Sequence, residues 1–522
     1  MKNIRRFLIL FLFMVFCGGI LALGLRGNAG NPTADQLNQS VWKNEGPLEL
    51  SPDRGKFALT YSLVEDKSFS FSLPLARFAT PDLGFINGKY VSLFAPGVSF
   101  ITIPGYILGK SFGIAQVGTF AVISVFAIFN ALLLRAIAVK IGANSTAATI
   151  ASLIFIFATP AFSYAVTLYQ HHISLFLILL SLYLLIRFRG LWPLLGIWFL
   201  AAAAVTVDYP NLFLITPIAI YALGRLAIVK REHEKLNINL KLAGVLTFLG
   251  ALLPILFLLW FNSSSYGNSF QLSGTIPSVK AIDEQGNPTT PALARAEDAQ
   301  RFTNPEQQEK SAVGFFKTRN LLSGFNTHFT SLDRGIIGYT PIVLFGVLGI
   351  SLLYKKNQPV FALLLGIIGV NALLYSMWGD PYGGWAFGSR YLIPSYAISS
   401  IFIALALSNL RKSSLFLFVF AIISSYSVAV NTLGAITTSA NPPKIEAIPL
   451  SQISGAAEKY TYFRNLDYLT NSGSKSFVFQ AFASKHLSAW QYYLIVITPI
   501  IGISTFLILY LRFSARESHE KN

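Results

Sequence analysis

About a dozen apolar runs, each near the length that crosses a hydrocarbon layer, alternate along this chain with short segments carrying Lys or Arg. That alternation leaves few folds open, because a bilayer offers no partner to a free N–H or C=O and a spanning run must satisfy its backbone inside a helix. The runs lie at approximately Phe7–Leu25, Ala115–Ala136, Thr146–Thr167, His172–Ile186, Leu191–Val207, Leu212–Val229, Leu242–Phe261, Ile336–Tyr354, Val360–Met377, Leu392–Leu407, Leu415–Val430 and Tyr492–Leu511. Hydrophobic residues make up 53% of the chain and charged residues 12%, a balance outside that of soluble domains. The fold class read from this is an all-α polytopic membrane protein of about twelve spans.

The net charge of +17 raises the question of nucleic acid. With a cytoplasmic N-terminus, the inner segments hold nineteen basic residues against four acids, Glu232, Glu234, Glu517 and Glu520, so +15 of the +17 lies inside. This is the positive-inside pattern of a membrane protein, and it excludes a nucleic-acid partner. An even number of crossings puts both termini in the cytoplasm. The first run, behind Lys2, Arg5 and Arg6, is longer than the apolar region of a signal peptide and reads as an uncleaved helix. Cys17 is the single cysteine, so no disulfide forms within the chain and no thiol chemistry is expected.

Three large segments face outward on this topology: 26–114, 262–335 and 431–491. In the first, Phe57, Tyr61 and Val64 share a helix face, a strand-like alternation follows from Phe69 to Leu73, and a turn at Asn87-Gly88 presents Lys89 and Tyr90. Val91 to Leu108 is apolar but interrupted by Pro96, Gly97, Pro104 and Gly105, which predicts an interfacial or re-entrant helix. The polar stretch Ser273 to Lys310 reads as a mobile loop, and the third segment as a small cap. No internal repeat is present, which counts against the paired halves of a carrier.

Polar groups at the outer membrane edge are costly and mark function. They fall into clusters: Asp53-Arg54; Lys89-Tyr90; His171-His172 after Tyr169-Gln170; Asp208-Tyr209-Pro210; and Asp333-Arg334-Gly335 with the run from Trp378 to Tyr391, which includes Asp380, Tyr382, Trp385 and Arg390. Each has a structural alternative. Asp53 after Ser51-Pro52 fits a helix N-cap, Lys89 a solvated turn lysine, Asp208 a turn between helices, and Arg390 a snorkelling anchor. Adjacent histidines point about 100° apart on a helix, so His171 and His172 are not a metal pair. The Gly-, Pro- and aromatic-rich run Trp378–Phe387 is harder to dismiss, since irregular backbone at membrane depth is tolerated where it lines a cavity.

In their order, SPDRGKFALTYSLVED, NGKYVSLFAPGVSFITIP, SLDRGIIGYTP and WGDPYGGWAFGSRYLIP resemble the GT-C superfamily of polyprenyl-phosphate-sugar-dependent glycosyltransferases, which includes protein mannosyltransferases and aminoarabinose transferases. The resemblance covers most of the chain. Two departures stand out: Asp53-Arg54 occupies the place of a common Asp-Glu pair, and Ala95-Pro96-Gly97 that of a frequent double proline. The resemblance implies an inverting transfer from a polyprenyl-phosphate-linked sugar to a lipid, glycan or protein acceptor on the outer face of a prokaryotic inner membrane. It implies Asp53 as general base and Lys89, Arg390 and Arg334 as phosphate ligands. Arg54, Tyr90, His171, His172, Asp208, Trp378, Asp380, Tyr382 and Trp385 would line the cavity. It divides the chain into a transmembrane catalytic module over 1–430, a cap over 431–491, and a last span with its tail over 492–522. Some members use a divalent ion and others none, and no carboxylates cluster here at ligand spacing.

Two other classes stay open at this point. A transporter or lipid flippase calls for ionisable groups near mid-span, and a non-catalytic membrane assembly protein leaves Asp53 dispensable. An O-antigen-ligase-like enzyme is a further option within the transferases, but no arginine-rich long outer loop supports it.

Overall fold

The computed structural model describes residues 2–43, 45–232, 235–289, 314–455 and 457–520. Helix covers most of each of the twelve apolar runs. Among the described residues, seven helices are long and apolar enough to cross a membrane: Phe7–Gly24, Ala115–Lys140, Ala243–Tyr266, Gln358–Ser376, Arg390–Leu410, Ser414–Ile436 and Ala489–Ser514. Ser145–Phe157, His171–Arg187 and Trp192–Val207 are apolar but shorter.

The remaining runs are broken where the sequence carries proline. Ser145–Phe157 restarts as Ala161–Ala165 beyond Thr159-Pro160, and Asn211–Leu214 restarts as Thr216–Leu223 around Pro217. Ile336–Tyr339 passes through a tight turn at Pro341 before Gly346–Lys356. A proline has no N–H to give its helix and clashes with the preceding turn, so these runs pack as segments. The end of Leu212–Val229 is not helical. Ala227–Glu232 pairs antiparallel with Lys235–Leu240 in a hairpin instead.

The first large loop builds its own core. Helix Ser51–Tyr61 buries Phe57, Ala58 and Leu59 against Leu75 and Phe78 of helix Leu73–Ala79 and against Leu83 and Val91 of a β-hairpin. The Asn87-Gly88 turn is the hairpin's tip. Both residues take positive φ, 51° and 74°, the mirror-image turn whose twist matches paired strands. The alternation at Phe69–Leu73 forms no strand, only a bridge from Phe71 to Tyr90, because Pro74 starts a helix there. Helix Gly97–Ser111 forms where the interfacial or re-entrant helix is expected. It folds back along Ala115–Lys140 with Gly105 and Gly109 against Gly118, where any Cβ would fall within 3 Å of backbone. Small residues four apart permit this approach.

The three loops contact one another. Strand Leu83–Ile86 pairs with Ser278–Val279 of the second loop. Of the polar stretch there, Ala281–Ile282 and Pro288–Thr289 also pair, while its continuation from 290 to 310 lies outside the described residues. The first and third loops are joined by Glu49, whose carboxylate meets Arg26 Nη1 at 3.3 Å and Lys475 Nζ at 2.5 Å. All three side chains are at most 5% exposed. Burial opposes the Glu49 charge, but Lys475 and Arg26 outweigh it and hold the carboxyl below its ordinary value.

Removing one partner of such a group strands two buried cations. Glu49→Ala is expected to cost about 3–5 kcal/mol, read as a lowered thermal unfolding midpoint in detergent, whereas loss of the exposed Glu65–Lys110 pair should cost under about 1 kcal/mol.

Candidate active site

Helix Ser51–Tyr61 begins on Leu50, not on Asp53. Leu50 is the extended N-cap, and the Asp53 N–H donates to the Leu50 carbonyl. The Asp53 side chain therefore does no capping. It is 1% exposed, and its Oδ1 has no partner among the protein's groups. One turn on, on the same helix face, stands Lys56, 3% exposed. Its ammonium donates to Pro52 O at 3.1 Å, lies 4.5 Å from the Phe94 ring centre and 5.4 Å from that of Tyr169.

Tyr169 joins this helix to the bundle. The Arg390 guanidinium sits 4.9 Å from the same ring and 5.5 Å from that of Tyr391, and donates to Gly383 O at 2.7 Å. His171 stacks on Tyr169 with ring centres 5.7 Å apart. Asp208, just past helix Trp192–Val207, accepts from Gln170 Nε2 at 3.2 Å. Asp53, Lys56, Arg390 and His171 thus surround one tyrosine, with Asp208 held on its neighbour Gln170. Besides Asp53 Oδ1, the buried Tyr169 hydroxyl, His171 Nε2, Gln170 Oε1 and Arg390 Nε make no hydrogen bond. Buried polar atoms left unpaired cost about 1–3 kcal/mol each, and their concentration here makes this chamber the candidate site.

A cavity of about 320 Å³ opens beside it, lined by Ser51, Pro52 and Asp82 on one side and by Trp378, Asp380, Gly383, Gly384, Trp385, Arg390 and Tyr391 on the other. Asp82 holds the Ser51 hydroxyl at 2.5 Å. Asp380 accepts from the N–H groups of Tyr382 and Gly384 at 3.1 and 2.6 Å, closing a tight loop. Gly383 and Gly384 turn that loop with φ of 73° and 63°, values that side chains disfavour.

Burial is the largest influence on Asp53 and pushes its carboxyl up to about 8 against the pull of Lys56 and Arg390. Burial likewise pushes the Lys56 ammonium down to about 8, opposed by Asp53 and Asp208.

Several expected site residues stand elsewhere. Lys89 is exposed at the hairpin tip, because the register that pairs it with Ile86 turns it outward. Arg334 is buried, and its guanidinium is committed to the carbonyls of Tyr382, Asp333, Gly384 and Asn441 at 2.8–3.2 Å. It braces the loop. Arg54 likewise donates to Leu48, Glu49 and Thr80 carbonyls. Tyr90 lies in the first loop's core with its hydroxyl on Gly286 O. His172 links Asn130 to the Ala161 carbonyl within the bundle. Tyr382 meets Arg334 through its carbonyl and does not line the cavity.

Lys56 and Asp82 are candidate site residues that do not stand out in the sequence, and Tyr169 stands out there only as a neighbour of His171. For Lys56 the available signal was its position three residues after Asp53 on a proline-started helix. Among the described residues no three His, Cys, Asp or Glu are grouped to hold a metal. The donor set at Asp53, one carboxylate between two cations, does not fit a divalent ion.

No family profile matches the sequence, and no curated protein does. Among solved structures the chain is similar to ArnT from Cupriavidus metallidurans in the apo state, at 11% identity and a TM-score of 0.43 over 96% of this chain and 78% of that one. It is similar also to the same protein bound to undecaprenyl phosphate, at 12% and 0.43 over 95% and 77%. A third is the archaeal oligosaccharyltransferase AglB from Archaeoglobus fulgidus, in complex with an inhibitory peptide and a dolichol-phosphate, at 13% and 0.38 over 94% of this chain and 56% of that one.

A raised carboxyl binds its proton more tightly folded than unfolded, so its contribution to stability falls as pH rises from about 4 to about 8 and then levels. Asp53→Asn lacks this decline. The wild-type unfolding midpoint should therefore fall relative to that of Asp53→Asn between pH 5 and pH 9, and a constant difference would show the carboxyl to be unperturbed.

Proposed function

We propose that this protein is a membrane glycosyltransferase that moves a sugar, with inversion, from a polyprenyl-phosphate carrier to an acceptor hydroxyl at the outer face of a prokaryotic inner membrane. The observation carrying this reading is one buried carboxylate with an unpaired oxygen, near the buried cations Lys56 and Arg390, the second of which keeps its Nε unpaired. In the proposed step Asp53 takes the acceptor's proton as its oxygen bonds to the anomeric carbon. The bond from that carbon to the phosphate oxygen breaks with its electron pair on the phosphate. Arg390 and Lys56 then stabilise the departing anion, the first as a planar fork and the second as a point charge. A carboxylate whose proton affinity is raised by burial is a stronger base than an ordinary one.

The placement of charge supports an enzyme over a transporter. Every buried Asp, Lys or Arg among the described residues lies in one of the segments 26–114, 262–335 and 431–491 or, as Arg390, at the first residue of an apolar helix, and none at mid-span. The division into a module over 1–430, a cap over 431–491 and a last span with its tail fits the way the third loop holds Trp385, a residue of the cavity wall. The acceptor is a lipid, glycan or protein, and membrane lipids surround the spans.

Membranes carrying the wild type should turn over at least one of a panel of polyprenyl-phosphate sugars. Asp53→Asn should lower kcat by roughly 10²–10⁴, the scale of a lost general base, Asp82→Asn by far less, and Lys89→Ala hardly at all. Full activity in Asp53→Asn sinks the base assignment. Because the base must be ionised, the rate should climb with pH through a limb well above that of an ordinary carboxyl. Lys56→Met, which removes an opposing cation, should move that limb upward.

A further inference from the structure

Trp385 is held from outside its own loop. Its indole N–H donates to Glu446 Oε2 at 2.8 Å, and the Arg464 guanidinium lies 5.4 Å from its ring centre. Glu446 belongs to helix Lys444–Ser454 and Arg464 to helix Phe463–Asn471, both in the third loop. Arg464 is in turn ion-paired to Glu458. The two parts of this wall are braced by adjacent residues: Asp333 Oδ2 accepts the Lys444 N–H at 3.0 Å, while Arg334 donates to Gly384 O at 3.0 Å and Asn441 O at 2.9 Å. One edge and one face of the indole are therefore fixed, and the ring lines the cavity that also holds Arg390.

We infer that the third loop makes Trp385 a preorganised platform for the sugar ring of the donor, with Glu446 and Arg464 as positioning residues. The inference rests on the transferase reading. An indole face packs against the C–H groups of a pyranose without needing charge, and a ring already locked loses little freedom on binding. Arg390 serves the phosphate end of the same cavity. Sugar and phosphate are thus recognised by separable groups, and the third loop tunes only the first.

The test compares two ligands on the purified full-length protein: bare polyprenyl phosphate, and a panel of polyprenyl-phospho-hexoses and -pentoses. Trp385→Ala should weaken affinity for the best sugar-loaded lipid by about tenfold and raise its KM likewise, with affinity for the bare lipid phosphate unchanged. Retention of bare-lipid affinity and of the unfolding midpoint shows that the variant is folded. Glu446→Ala and Arg464→Ala should reproduce roughly a third of the loss through KM more than kcat. Glu446→Gln, which still accepts from the indole, should restore wild-type values.

Equal weakening for both ligands in Trp385→Ala, or no restoration by Glu446→Gln, overturns the platform while leaving the transferase standing. A wild type that distinguishes sugar-loaded from bare lipid, with Trp385→Ala distinguishing them equally well, overturns it too. A wild type that binds neither ligand removes the transferase reading and the platform with it.

Discussion

Glu49 is the contact on which the geometry of the site depends. Its carboxylate joins Arg26, just past the first helix, to Lys475 and Ser439 of the third loop. Four residues later, next in sequence to the cavity-lining Ser51 and Pro52, comes Asp53, so the anchor lies just upstream of the candidate base. Arg54 adds a second tie by donating to the Glu49 carbonyl. A buried ionic group contributes little net stability over an apolar replacement, but it tolerates no change of partner and so enforces one arrangement of three distant segments. The function of this group is register.

Charged residues near the cavity then separate by how fully their hydrogen-bonding capacity is met inside the protein. Arg334 finds a carbonyl for each of its nitrogens, and His172 uses both of its own. Such groups are scaffolding, and the surrounding backbone relies on them. Asp53, His171 and Arg390 each keep a buried atom unpaired. A folded protein tolerates that cost where a ligand recovers it. The same amino-acid type thus does opposite work a short distance apart, and the decisive difference is the number of carbonyls within reach.

How much of this was legible in the sequence follows from the range of the interactions involved. The apolar helices, the Asn87-Gly88 turn and the Pro- and Gly-interrupted helix Gly97–Ser111 rest on local periodicity and backbone chemistry, and they were readable. The polar residues at span ends, Asp208, His171 and Arg390, were readable because charge at membrane depth is rare. Lys56 was not, since SPDRGKF looks the same whether its lysine meets water or the Tyr169 ring. Lys89 and Arg334 misled for the complementary reason. Their motifs signalled a polar turn and a buried cation, but whether a cation faces a ligand or a carbonyl is decided by strand register and by contacts such as Arg334 to Asn441, more than a hundred positions apart.

The charge balance around Tyr169 gives the proposed reaction an order of events. Asp53 and Asp208 face Lys56 and Arg390, and with all four ionised these charges cancel. A phosphate drawn to the two cations adds negative charge beside Asp53 and offsets their pull on it, which raises the carboxyl's proton affinity further. The base is therefore strongest when the donor is in place and weaker when the chamber lacks it. As the sugar leaves, charge grows on the phosphate while the proton reaches Asp53, so positive charge gathers opposite the group that is losing its partner. Coupling of this kind needs low dielectric to be felt over several ångströms. Burial of these charges, costly to the fold, is what supplies it.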